Sequence, residues 1–128
     1  MPVIHAAEAV VHDMHGSRFS SYAAPARGSA ELCAWRLDVP AGRHGTAHTV
    51  SREEILFVLS GTLLVTLGDG PDAASAPSRA GDAIVVPPGS SVRIDNPGEE
   101  AASAWVTTSV GLEAVLPDGS RLSPPWVR

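Results

Sequence analysis

An all-β domain, a sandwich or barrel of short strands, is what the sequence predicts, and two observations carry that prediction. Runs of alternating or β-branched residues recur at short intervals, each closed by a cluster of Gly, Pro, Asn or Asp. The composition agrees: 128 residues hold 12 glycines and 11 prolines, which interrupt long helices and favour short elements joined by turns.

A short helical stretch is expected around Ala6 to Val11, then a turn at His15-Gly16-Ser17 and a strand at Arg18 to Ala23. In Glu31 to Val39, Cys33, Trp35, Leu37 and Val39 alternate with Leu32, Ala34, Arg36 and Asp38, as on a strand with one buried face. Ile55 to Leu59 and Thr62 to Leu67 are β-rich runs separated by Ser60-Gly61, which reads as a tight hairpin. Asp72 to Arg79 reads as an Ala/Ser/Pro loop. Strands follow at Ala83 to Val86, Ser91 to Asp95 and Ala102 to Val110, with Asn96-Pro97-Gly98 as a turn. Leu112 to Leu116 is expected to pair with Arg121-Leu122 across Pro117-Asp118-Gly119. The expected organisation is an N-terminal arm over residues 1–30, a barrel over 31–116 and a C-terminal hairpin and tail over 117–128.

Charge and cysteine usage exclude several classes. There is no lysine, the nine arginines are dispersed and the formal net charge is −5, so the electrostatic footprint of a nucleic-acid binder is missing. Cys33 is the only cysteine, which rules out an internal disulfide and cysteine-based zinc sites. No apolar run reaches the ~20 residues of a membrane span, and Met1 to Val11 lacks the pattern of a secretory leader. A cytoplasmic protein without membrane or nucleic-acid partners is therefore expected.

Two segments carry a more specific pattern. Gly42, His48, Val50, Glu54 and Gly61 fall at the positions of the first cupin motif, G-x5-H-x-H-x3-E-x6-G, with every spacing intact. Gly81, Pro87, Gly89, Val92 and Asn96 fall at those of the second, G-x5-P-x-G-x2-H-x3-N. The chain thus resembles the small single-domain bacterial cupins of the RmlC-like superfamily, and the resemblance implies a double-stranded β-helix, the jelly-roll barrel, with a metal held by three histidines and a glutamate. Only His48 and Glu54 of those four remain; Val50 and Val92 stand at the other two positions. Both replacements are apolar strand formers that offer no ligand atom.

The five histidines, at positions 5, 12, 15, 44 and 48, all precede the second motif, and His44 is the only nearby substitute ligand. No cofactor is expected; a divalent metal on His44, His48 and Glu54 is the alternative. Residues that would converge on one ion lie within a few ångströms of each other, so His48 and Glu54 could hydrogen-bond directly and act as a base and its orienting carboxylate. Val50, Val92 and Leu56 would line an apolar pocket, with Trp35, Trp105 and Arg36 as further substrate-binding candidates.

Three functions compete. The first is a metal-independent enzyme of specialised metabolism that isomerises, dehydrates or cyclises a small molecule by proton transfer through His48 and Glu54. The second is a non-catalytic ligand-binding or sensor domain, and the third a metal-dependent oxygenase using His44, His48 and Glu54. The resemblance also implies a homodimer, for which the apolar face of Ile55, Phe57 and Leu59 is available.

Overall fold

The computed structural model describes residues 3–128, and it is built of strands joined by turns and single turns of 3-10 helix. The strands are β1 (Val10–Met14), β2 (Ser17–Ala23), β3 (Leu32–Val39), β4 (His48–Val50), β5 (Glu54–Ser60) and β6 (Thr62–Leu67). They continue with β7 (Ala74–Arg79), β8 (Ala83–Val86), β9 (Ser91–Asp95), β10 (Ala102–Ser109), β11 (Ala114–Val115) and β12 (Arg121–Leu122). Two six-stranded antiparallel sheets result, ordered β1-β2-β3-β10-β5-β8 and β12-β11-β4-β9-β6-β7. This is the jelly-roll architecture that the resemblance implies.

Period-two alternation decides what each sheet buries. Cys33, Trp35, Leu37 and Val39 of β3, Leu56 and Val58 of β5, and Ala104 and Val106 of β10 face inward from the first sheet. Val50, Leu63, Val65 and Val92 meet them from the second. Each fully buried leucine, such as Leu56 or Leu63, contributes roughly 1.5–3 kcal/mol by leaving water.

Three expectations are corrected. The hairpin across Ser60-Gly61 does not form: β5 pairs with β10 and β8, whereas β6 pairs with β9 and β7 in the other sheet. Gly61 is instead the corner between sheets, at φ 73°, with the backbone of Ala101 and Ala102 packed where a Cβ would stand. The 72–79 loop is largely strand β7, an exposed edge partner of β6 on which Pro77 lies opposite Leu64. An edge strand tolerates a proline because half of its N–H groups have no ladder partner to lose. The helical stretch at 6–11 shrinks to one 3-10 turn at Ala6–Glu8; the β-branched Val10 and Val11 enter β1 and pair with Ser21 and Ser20.

The C-terminal hairpin does form, with Ala114 opposite Leu122 and Val115 opposite Arg121. Beyond it the tail docks on the first sheet: Ser21 Oγ donates to the Trp126 carbonyl at 2.9 Å, and the Phe19 and Trp126 rings stack at 3.7 Å. Asn96 explains its place in the second motif structurally. Its Nδ2 donates to the carbonyls of Val39 and Glu100 at 3.1 and 2.8 Å, and its Oδ1 accepts from the Gly98 N–H at 3.2 Å. A side chain 1% exposed thereby clamps the end of β3 to the 96–100 turn.

Candidate functional site

Between the two sheets lies a cavity of about 110 Å³, several times the ~10–15 Å³ that one water molecule needs. Strand β4 begins after the Gly42–Gly45 loop and turns His48 and Val50 into it. Strand β5 begins at Glu54 and supplies Glu54 and Leu56, and β3 supplies Trp35, Leu37 and Val39. Phe19, Leu112, Leu122, Pro124 and Trp126 close it from the first hairpin and the C-terminal segment.

The loop that delivers β4 is held from the opposite strand. Gly45 N–H donates to Asp95 Oδ1 at 2.7 Å, and Arg93 Nε donates to Asp95 Oδ2 at 2.9 Å. Asp95 is 3% exposed, so its two hydrogen bonds satisfy a carboxylate that would otherwise be buried without partners. Next along the loop, the Thr46 carbonyl lies 3.0 Å from His48 Nδ1. A carbonyl only accepts, so Nδ1 carries the hydrogen, and the lone pair of the neutral ring is on Nε2.

Glu54 is 7% exposed, and among the described residues no side chain or backbone group hydrogen-bonds its carboxyl. Burial in this apolar surround pushes its pKa up from 4.5 to about 7. The direct His48–Glu54 hydrogen bond expected from the motif is absent: the imidazole is oriented by Thr46, and the two groups meet the cavity separately.

The remaining candidates divide by strand parity. Trp35, Val50 and Leu56 line the cavity wall. Val92 faces inward and pairs with His48 in register, but it packs in the core instead of lining the cavity. Arg36 and Trp105 are corrected outright. They are register partners on the outer face of the first sheet, where Arg36 pairs with Asp38 at 3.1 Å and Trp105 lies against Tyr22 at 5.2 Å. His44 is exposed and is not a wall residue. Among the described residues no three His, Cys, Asp or Glu side chains converge as a metal site requires. The donors on the cavity wall are the imidazoles of His15 and His48 and the Glu54 carboxyl, and they do not converge closely enough to fit the metal that such barrels can hold.

Sequence reasoning missed Phe19, Leu112 and Trp126. Their hydrophobicity was visible, but their approach to the cavity depends on where the hairpin and tail dock.

A family model for the cupin domain matches residues 35–109, which include both motifs. No curated protein matches the sequence. Among solved structures, the chain is similar to the polyketide cyclase RemF from Streptomyces resistomycificus, at TM-score 0.75 and 15% identity over 85% of this chain and 79% of that one. It is similar to a cupin-superfamily sugar phosphate isomerase from Silicibacter pomeroyi, at TM-score 0.74 and 16% identity over 91% and 82% of the two chains. An RmlC-like cupin from Shewanella frigidimarina aligns at TM-score 0.68 and 20% identity, over 82% and 86%. At these identities the structures share a fold with this chain, while the match over 35–109 assigns its family: the chain belongs to the cupins.

Proposed function

We propose that this cupin binds a small apolar molecule and moves a proton on it without a metal, in an isomerisation, dehydration or cyclisation. The observation that carries this reading is Glu54, a buried carboxyl without a hydrogen-bond partner, on the wall of an apolar cavity and titrating near neutrality. A group with pKa near the working pH is present in both forms, so it can accept a proton and return it. In the carboxylate form Glu54 takes a proton from a C–H bond, whose electron pair stays on the ligand as an enolate-like anion. The proton returns at a second position, and the carboxylate is regenerated. His48 Nε2, the lone-pair nitrogen, accepts a hydrogen bond from the O–H of an enol formed on the ligand. The neighbours that include a polyketide cyclase and a sugar phosphate isomerase are compatible with such chemistry.

A panel of small apolar carbon acids in deuterated buffer tests the proposal, with proton exchange followed by NMR. Wild type is expected to accelerate exchange of a bound member, and Glu54→Gln to slow it ~10²-fold or more while retaining binding. Binding without exchange in wild type would leave a ligand-binding domain. Stoichiometric metal in protein purified without chelator would contradict the metal-free part.

The same reading includes a second copy of the chain as partner. Ile55, Phe57 and Val85 are 43%, 44% and 53% exposed on the outer face of the first sheet. Ile55 pairs with Val85 and with Thr107, and Phe57 with Trp105, so the register makes them one patch. A two-fold axis through that face would bury it against itself. Sedimentation should show a dimer that Phe57→Glu converts to monomer; a monomeric wild type at micromolar concentration would contradict it.

A further inference from the structure

Among the described residues one non-glycine has a positive φ, His15 at 53°. With Gly16 at 77° it forms the two-residue turn between β1 and β2, closed by the pair Met14 and Ser17. The turn itself does not call for an imidazole, because glycine or asparagine takes this conformation with less strain. His15 also lines the cavity, together with Ser17. A Cβ added at Gly16 would run into the Arg43 guanidinium, so that cation lies directly against the same turn. Arg43 is exposed and belongs to none of the ion pairs among the described residues.

The three titratable groups on the cavity wall differ in depth: His15 is exposed, His48 half-buried and Glu54 7% exposed. A ligand lying along that gradient meets an N–H donor and a guanidinium at the mouth, the His48 Nε2 lone pair further in and the Glu54 carboxyl deepest. An imidazole has an N–H to donate in either protonation state, so the mouth suits an anion whether or not His15 is charged. A carboxylate placed there keeps its contact with water and avoids the desolvation it would suffer beside Glu54. The cavity of about 110 Å³ takes only a short chain, so the anionic group, the carbonyl and the acidic C–H follow one another closely.

We infer that the ligand is an α-keto acid with a short apolar tail, held by its carboxylate between His15 and Arg43 at the cavity mouth. The inference rests on the proton-transfer reading and adds a charged outer end to its apolar ligand. Glu54 takes a proton from the carbon on the inner side of the carbonyl. The C–H electron pair becomes the C=C bond of an enolate, and the carbonyl π pair moves to oxygen. That oxygen receives the proton back from Glu54, and the enol O–H donates to His48 Nε2.

α-Ketovalerate and methyl propyl ketone test it, since they differ only in a carboxylate against a methyl group. Calorimetry should show the keto acid binding ~10-fold tighter, the worth of a charge-assisted hydrogen bond at an exposed site, with the difference shrinking in high salt. The His15 ring-proton resonances, identified by their loss in His15→Gly, should move with the keto acid and much less with the ketone. Glycine takes the positive φ without strain, so that variant keeps the turn. In His15→Gly and in Arg43→Met the preference for the keto acid should fall ~3-fold or more.

Equal wild-type affinities, no binding of the keto acid at millimolar concentration, an unmoved His15 ring, or a preference that survives both substitutions would overturn the inference. The wild-type titrations need no variant, so a misfolded Arg43→Met leaves the test intact. Failure of the proton-transfer reading has a separate signature. The keto-acid preference and its loss in the variants persist, but the methylene next to the carbonyl of α-ketovalerate exchanges with deuterium no faster than in buffer alone.

Discussion

Glu54→Gln is expected to stabilise the protein by about 1–2 kcal/mol at about pH 8 while removing proton transfer. The displacement of the carboxyl from 4.5 to about 7 is worth about 3 kcal/mol of folding free energy. Its sign follows from proton binding. Between those two values the folded chain keeps the proton that the unfolded chain has released, so stability falls as pH rises. The contribution is full below pH 4.5 and is lost as pH passes about 7. Glutamine does not ionise and removes that slope, while its unpaired buried amide offsets about 1–2 kcal/mol of the gain. Urea denaturation of both proteins across this range checks the account: the variant's advantage at pH 8 should shrink as pH falls and turn into a deficit of about 1–2 kcal/mol below 4.5. A difference independent of pH would contradict it.

Gly45→Ala is expected to destabilise by about 2–4 kcal/mol and to disrupt the ligand site, although Gly45 is not a motif position. A Cβ there would be driven into the backbone carbonyl of Ile94, which cannot rotate away as a side chain could. Both Gly45 and Ile94 line the cavity, and the Gly45 N–H holds the loop to Asp95. The motif glycine Gly42 makes the contrast. Its φ of 71° disfavours a side chain, but nothing lies within 4 Å of the added atom, so Gly42→Ala should cost only about 1 kcal/mol. Denaturation midpoints of the two variants check the order.

Much of this was legible in the chain because strand parity and motif spacing are local. Trp35 and Arg36 are neighbours on one strand, so both could not line the same cavity; the alternation in β3 already separates them. Trp105 needed more. Its face is fixed by pairing with Arg36 on one side and Phe57 on the other, contacts that span much of the sequence. The same limit explains Ser60-Gly61, where a short polar link reads as a hairpin until β10 and β9 claim the strands on either side. His48 and Glu54 were found by spacing, yet their relation was not. The Thr46 carbonyl that takes the imidazole N–H is a backbone atom, and no residue type announces it.

The central claim is that Glu54 is a cavity carboxyl poised between acid and base, and its own titration tests that most directly. The side-chain carboxyl carbon, labelled with carbon-13 and identified by its absence in Glu54→Gln, should titrate with a midpoint of about 7. A midpoint near 4.5 would mean that the carboxyl is solvated or paired in solution, and the proton-transfer account would fall.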